Sequence, residues 1–121
     1  MHVSEITVLL IFLLLDYLTG VLVAVMEKKI NSTIGRKGIF NKVGILLCVI
    51  LCKMIDLLGI KGLSPLVPLV TFFFILNESF SILENLGKLN VPVPSFLISI
   101  LEGFQEKNKK VINSVDKVIS L

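Results

Sequence analysis

Apolar residues are gathered into three long blocks along the chain, each long enough to cross a lipid bilayer as a helix. The first block runs from Ile6 to Met26, the second from about Ile39 to Ile60, and the third from about Leu63 to Leu86. A helix of roughly 20 residues is about 30 Å long and matches the hydrocarbon core of a membrane. The pattern predicts three transmembrane helices, and the few residues between the second and the third make these two a tight hairpin.

The segment after Leu89 has a different pattern from the three apolar blocks. Pro92 and Pro94 break the third helix, and Ser95 is placed to cap a new one. Beyond it, apolar side chains recur at helical spacing on one face, and charged side chains occupy the other, as in the KNKK run at 107–110. We predict a transmembrane domain, 1–90, followed by an amphipathic, basic segment, 91–121. This segment lies on the membrane surface or self-associates, and after Gln105 a partly disordered tail is the alternative.

The composition supports a membrane protein and argues against a water-soluble one. Of the 121 residues, 55% are hydrophobic and 17% are charged, and a chain this small cannot bury so much apolar surface in a globule. A cleaved signal peptide is the alternative for the first block, but no Lys or Arg precedes it and Asp16 interrupts it. The predicted fold class is an all-α integral membrane protein with three transmembrane helices and a C-terminal amphipathic helix.

Basic residues are concentrated in two segments, and this asymmetry predicts the orientation of the helices. Loops rich in Lys and Arg remain in the cytoplasm, whereas the N-terminal segment carries only Glu5 and the hairpin only Lys61 as charged side chains. Three spans with the N-terminus outside and the C-terminus inside satisfy every segment. If the third block lay in the membrane interface instead, the basic loop and the C-terminus would be on opposite sides. The cytoplasmic basic loop comprises Lys28, Lys29, Arg36, Lys37 and Lys42. The part of the chain after the third span, which ends at about Leu86, carries Lys88, Lys107, Lys109, Lys110 and Lys117.

A stripe of polar and small residues in the first span predicts contact with another helix. Asp16 and Gly20 lie on one face, with Thr19 and Ala24 beside them. Gly20 and Ala24 form a small-xxx-small pair that lets another backbone approach closely, and this approach would bring Asp16 against a neighbouring helix and away from lipid. An isolated Asp16 that reaches towards the headgroups is the alternative.

The second span carries two charges near its end. Lys53 and Asp56 are three residues apart, so on a helix they can pair with each other and reduce the cost of insertion. Pairing of Lys53 with Asp16 of the first span is the alternative.

The third span turns polar in its second half, and the polar side chains share one side. At about 100° per residue they fall within an arc of roughly 120°. A polar stripe in a membrane must face water, the headgroup region or similar stripes on other subunits. We therefore expect it to line a passage or to join subunits, unless it is simply the headgroup end of the span. The stripe consists of Asn77, Glu78, Ser81, Glu84 and Asn85.

The chain offers no set of residues from which a catalytic, cofactor or metal site could be built. Cys48 and Cys52 lie inside an apolar block, and His2 is near the N-terminus. The GRKG motif at 35–38 is too short for a phosphate-binding loop. We expect no enzyme activity, no cofactor and no metal, and we assign the basic loop to anionic lipid rather than to nucleic acid.

Several separated motifs, taken together, resemble the phage-lysis and toxin-secretion holin family of Gram-positive bacteria and their phages. They occur in order from about Ile6 to Leu101 and cover most of the chain. They are DYLTG at 16–20, INSTIGRKGIFNK at 30–42, Asp56, NESFSILEN at 77–85 and VPVP at 91–94. The positions that match the family are Asp16, Thr19, Gly20, Gly35, Gly38, Lys42, Asp56, Asn77, Glu78, Ser81, Glu84 and Asn85.

The resemblance implies a multi-pass protein of the bacterial cytoplasmic membrane that accumulates, oligomerises and then forms lesions. These lesions would let an endolysin or a toxin cross the membrane, and neither would need to bind this protein directly. The resemblance also suggests an antiholin as a partner. From the residues alone, the candidates for pore lining or assembly are Asp16, Thr19, Gly20, Ala24, Lys53, Asp56, Asn77, Glu78, Ser81, Glu84 and Asn85. An antiholin or accessory subunit, and a small secondary transporter with Asp16 as its proton-coupling site, are the alternative functions.

Overall fold

The computed structural model describes residues 4–61 and 65–120, and the regular structure within them is entirely helical. The four helices are α1 (Glu5–Met26), α2 (Ser32–Leu57), α3 (Leu66–Lys88) and α4 (Ser95–Ile119). Within the described residues, α1, the Gly35–Leu57 part of α2, and α3 are long and apolar enough to cross a membrane. The predicted fold class is confirmed. The predicted start of the third span at Leu63 and the histidine His2 lie outside the described residues.

The second helix is longer than its apolar block. It begins at Ser32, because Asn31 is extended and its side-chain oxygen accepts a hydrogen bond from the Thr33 amide at 2.8 Å. Arg36 and Lys37 therefore lie in the first turns of α2 and not in a loop as predicted. The apolar pattern could not show this start, since the first turns of α2 extend beyond the predicted apolar span.

Two helices end in the same tight reversal. After α1, Lys28 has a φ of 56°, and the Lys29 amide donates to the carbonyl of Ala24 at 2.8 Å. After α3, Asn90 has a φ of 61°, and the Val91 amide donates to the carbonyl of Leu86 at 3.0 Å. In both reversals a residue in the left-handed conformation is followed by an amide that donates to the carbonyl five residues earlier. This arrangement satisfies one of the last carbonyls of the helix and turns the chain sharply. The reversal after α1 brings α2 back into the bundle, and the one after α3 leads into α4.

The third helix lies at the centre of the bundle. It packs against α1, α2 and α4, while α1 and α2 touch each other over a smaller area. The apolar core is formed by Leu9 and Leu13 of α1 and Val49 of α2, with Val67 and Phe74 of α3 packed on them. Large apolar side chains on the outside of α1 and α2 stay exposed, as expected for helices whose outer surface meets lipid.

The fourth helix folds back along α3 in the opposite direction. The rings of Phe72 and Phe104 meet edge to face with their centroids 5.9 Å apart, and Asn108 is buried at the same contact. α4 begins at Ser95 itself, directly after Pro94, so Ser95 is the first residue of the helix and not its cap. The cytoplasmic position of residues 91–121 stays a prediction. The structure adds that this segment is helical to Ile119 and packs on the transmembrane bundle.

Candidate functional site

The carboxylate of Asp16 is the centre of a polar network between α1, α2 and α3. Its Oδ2 accepts a hydrogen bond from the Lys42 ammonium of α2 at 2.8 Å. Its Oδ1 accepts from the Ser81 hydroxyl at 2.6 Å and from the Asn85 amide at 3.3 Å, both on α3. The predicted contact of Asp16 with a neighbouring helix is present, and the neighbours are α2 and α3 of the same chain.

Lys42 joins a second carboxylate to the network. Its ammonium also donates to Oε2 of Glu78 at 3.0 Å. The exposed fractions of the side chains of Lys42, Asp16 and Glu78 are 17%, 14% and 8%, so one nearly buried cation is shared by two nearly buried anions. Ionised groups at membrane depth are costly unless they are paired, and removal of one member of a buried pair leaves the other uncompensated.

Thr19 and Asn85 extend the network along α1. The Asn85 amide donates to Oγ1 of Thr19 at 2.9 Å, and the Thr19 hydroxyl can donate to the carbonyl of Leu15 at 2.8 Å or of Asp16 at 3.0 Å. Gly20 lies beside this contact: a Cβ built on it would be 3.8 Å from Nδ2 of Asn85, an ordinary van der Waals distance, so alanine would also fit. A bulkier side chain at Gly20 would compete with Asn85 for the same space.

One side of the network opens into a groove between the C-terminal end of α1 and the N-terminal end of α2. The groove has a volume of about 670 Å³, and its lining includes Asp16, Ala24 and the basic side chains of Lys29 and Arg36. The ring of Tyr17 lies over Gly35 and Gly38 in the same groove; a Cβ at either glycine would be 3.5 to 3.7 Å from it. The network is therefore open on the side of this groove, which Ser81 and Asn85 of α3 also line.

The polar stripe predicted for the third span is divided between two surfaces. Glu78, Ser81 and Asn85 point into the bundle and belong to the network. Asn77 and Glu84 are exposed on the outside of α3, where Glu84 forms an ion pair of 3.5 Å with Lys88. A helical wheel places the two sets in different halves of the arc, but it cannot show which half is covered, because this depends on the packed positions of α1 and α2.

Asp56 has a different role from the predicted one. Its Oδ1 and Oδ2 accept hydrogen bonds from the Leu66 and Val67 amides at 2.7 and 2.8 Å, so it caps the first turn of α3. Lys53 is exposed and forms no ion pair within residues 4–61 and 65–120. Both predicted partners of Lys53 are therefore wrong: Asp56 is held by backbone amides, and Asp16 is held by Lys42.

Lys42 was assigned to the cytoplasmic basic loop, and this assignment is also wrong. It lies inside α2 and contributes the cation of the network. The available signal was its position within the predicted second span, 39–60, where an unpaired lysine would be costly. The other four basic residues of that group, Lys28, Lys29, Arg36 and Lys37, are exposed.

Known proteins that are similar to this chain identify its family. Residues 3–106 match the sequence profile of the bacteriophage holin family, and this match includes the whole polar network. The chain belongs to the bacteriophage holin family. Its membership implies a multi-pass protein of the bacterial cytoplasmic membrane that is not an enzyme, and it supports a holin role.

Two relatives illustrate what the chain is similar to. An uncharacterized protein of Clostridium perfringens strain 13 is 42% identical over 103 residues, which cover 85% of this chain and 76% of that protein. A protein named as a probable holin, from Bacillus phage phi105, is 28% identical over 117 residues, which cover 96% of this chain and 85% of the phage protein. No solved structure matches the chain significantly.

Proposed function

We propose that this holin-family protein oligomerises in the cytoplasmic membrane and forms lesions through which an endolysin or a toxin crosses. The released protein needs no direct contact with the holin, because the lesion itself removes the barrier. Oligomers of the same chain are the main partners, and a co-assembling antiholin would delay the lesion by occupying the same contacts.

The exposed Asn77 is the observation that carries this proposal. It lies midway between Leu66 and Lys88, the ends of α3, so it is at the centre of a membrane-crossing helix. Its amide points out of the bundle, where a single subunit surrounded by lipid offers no hydrogen-bond partner. Contact with another subunit or with water removes this cost, and both conditions are met in an oligomeric lesion.

The internal network complements this outward-facing residue. Within one chain, Lys42 is shared by the carboxylates of Asp16 and Glu78, and Asp16 also accepts hydrogen bonds from Ser81 and Asn85. This pairing lowers the cost of the buried polar groups, so the folded subunit can accumulate in the membrane before it assembles. Assembly then uses the residues left on the outside of α3, Asn77 and Glu84. Lesion formation is a shift in population from small assemblies to large ones as the protein concentration rises.

A bacterial culture tests the proposed function. The protein is induced with and without a co-expressed endolysin that lacks an export signal of its own, and optical density is followed. We expect sudden lysis only when both are present. Continued growth with the protein confirmed in the membrane would refute the lesion and favour the antiholin or transporter alternatives.

The role of Asn77 is tested by Asn77→Leu in the same assay. We expect the onset of lysis to be delayed at least twofold, with unchanged accumulation in the membrane, because the leucine needs no polar partner. Phe73→Leu is the matched control, since Phe73 lies one turn earlier on the exposed side of α3 and the change keeps an apolar side chain. Equal lysis times for Asn77→Leu and the wild type would exclude Asn77 from assembly.

A further inference from the structure

The side of α4 that faces away from the bundle is strongly charged. The charged side chains on this side belong to the part of α4 that packs beside α3, and all of them are exposed. Exposed charges on a soluble helix need no explanation, but here they border a membrane-crossing helix. We refer to Glu102, Glu106, Lys109 and Lys110 as the charged face of α4.

The charged face lies at the depth of the membrane when α4 is packed on α3. Phe104 contacts Phe72 in the first half of α3. Asn108 shares a pocket of about 340 Å³ with Glu5 at the start of α1 and Pro68 at the start of α3. The basic loop places these helix starts on the non-cytoplasmic side. Packed α4 therefore runs from the cytoplasmic end of α3 to its opposite end.

The surface of α4 has three sides with different chemistry. Phe104 and Asn108 form the side that packs on α3. Phe96 and Ile100, which are 66% and 48% exposed, belong to an apolar strip that forms the second side. The charged face is the third side. Lipid fits the apolar strip but excludes the charged face, because charges in the hydrocarbon region require water or a partner. A helix of this kind fits a junction between protein, lipid and water.

We propose that the charged face of α4 lines the aqueous passage of the assembled lesion. The packed position of α4 is then its position in the lesion, with the apolar strip towards lipid or a neighbouring subunit. In a subunit surrounded by lipid, the same helix lies at the cytoplasmic surface, where its charges are hydrated. This inference rests on the proposed lesion and adds which helix meets the water within it.

Cross-linking tests whether the packed position belongs to the lesion. Phe72→Cys and Phe104→Cys are combined in a full-length protein in which Cys48 and Cys52 are replaced by alanine. The protein is reconstituted in liposomes that contain a fluorescent dextran, and the new pair is oxidised. We expect a disulfide, and release by the oxidised protein at least equal to release by the reduced one. The control pair, Phe72→Cys with Glu106→Cys, is expected not to cross-link, because Glu106 lies on the charged face.

Thiol labelling tests where the charged face points. A third cysteine replaces Glu102 or Ile100 in the protein that carries the Phe72→Cys and Phe104→Cys disulfide. These two nearby positions are both exposed but lie on different sides of α4. We expect a membrane-impermeant maleimide to label Glu102→Cys at least tenfold faster than Ile100→Cys. Equal rates would show that the charged face does not meet water and would overturn the proposal.

The outcomes separate this inference from the function on which it rests. If the wild-type protein releases no dextran, both fail. If it releases dextran but Phe72→Cys and Phe104→Cys do not cross-link, only the assignment of α4 fails. The same holds if oxidation lowers release at least tenfold and reduction restores it, because the packed position would then belong to a closed state.

Discussion

Replacement of Lys42 by methionine is the most direct test of the network inside the bundle. Methionine keeps the length and apolar stem of the side chain but removes the ammonium that lies 2.8 Å from Asp16 and 3.0 Å from Glu78. Two carboxylates, with side chains 14% and 8% exposed, are then left without a cation. Removal of one partner from a buried ion pair lowers the free energy of unfolding by about 3 to 5 kcal/mol. We expect Lys42→Met to fall in this range.

A triple variant distinguishes the loss of charge compensation from a loss of packing. Lys42→Met combined with Asp16→Asn and Glu78→Gln removes all three charges from the network. The new amide oxygen at position 16 can still accept a hydrogen bond from Ser81. We expect the triple variant to recover at least about 2 kcal/mol of the stability lost in Lys42→Met, because no uncompensated carboxylate remains. Recovery of this size cannot come from packing, since the methionine is present in both variants.

The measurement is a titration of the purified protein from dodecyl maltoside into sodium dodecyl sulfate, with helical circular dichroism as the signal. Lys53→Met is the matched control, because Lys53 lies on the same helix but is exposed and unpaired in the described part of the chain. We expect it to remain within about 0.5 kcal/mol of the wild type. The reasoning is refuted if Lys42→Met behaves like Lys53→Met, or if the triple variant is no more stable than Lys42→Met.

Two further predictions concern α3 and use the same titration. Asp56→Ala removes the acceptor of two backbone amides at the start of the helix, and we expect a loss of about 1 to 2 kcal/mol; Asp56→Asn keeps one side-chain oxygen and should lose less, so an equal loss in both would contradict a capping role. Thr71 is fully buried, and its hydroxyl has no hydrogen-bond partner within the described residues. Thr71→Val keeps the shape and removes the unpaired group, so we expect a gain of about 1 kcal/mol; a loss would show that the hydroxyl does have a partner in the membrane.

Only part of the candidate site is predictable from the sequence pattern. The position of Asp16 beside Gly20 predicts a close interhelical contact, and this contact exists. The alternative prediction that Lys53 pairs with Asp16 was wrong, because Lys42 is the cation beside Asp16. Both lysines are on α2, and the sequence alone does not reveal which of them lies level with Asp16. The cap that Asp56 provides to α3 was also not predicted. Asp56 belongs to α2, whereas a cap is recognised in sequence only when the side chain directly precedes the helix that it caps.

The sequence by itself determined the number of membrane-crossing helices and the amphipathic character of α4. These properties follow from local length, hydrophobicity and charge, which do not depend on how the helices pack. Only the tertiary structure decided that Glu78 is inside and Asn77 outside, that Lys42 belongs to the network, and that α4 lies along α3. Helical periodicity defines the direction of a side chain relative to its own axis, whereas its surroundings depend on the rotation, depth and neighbours of the whole helix.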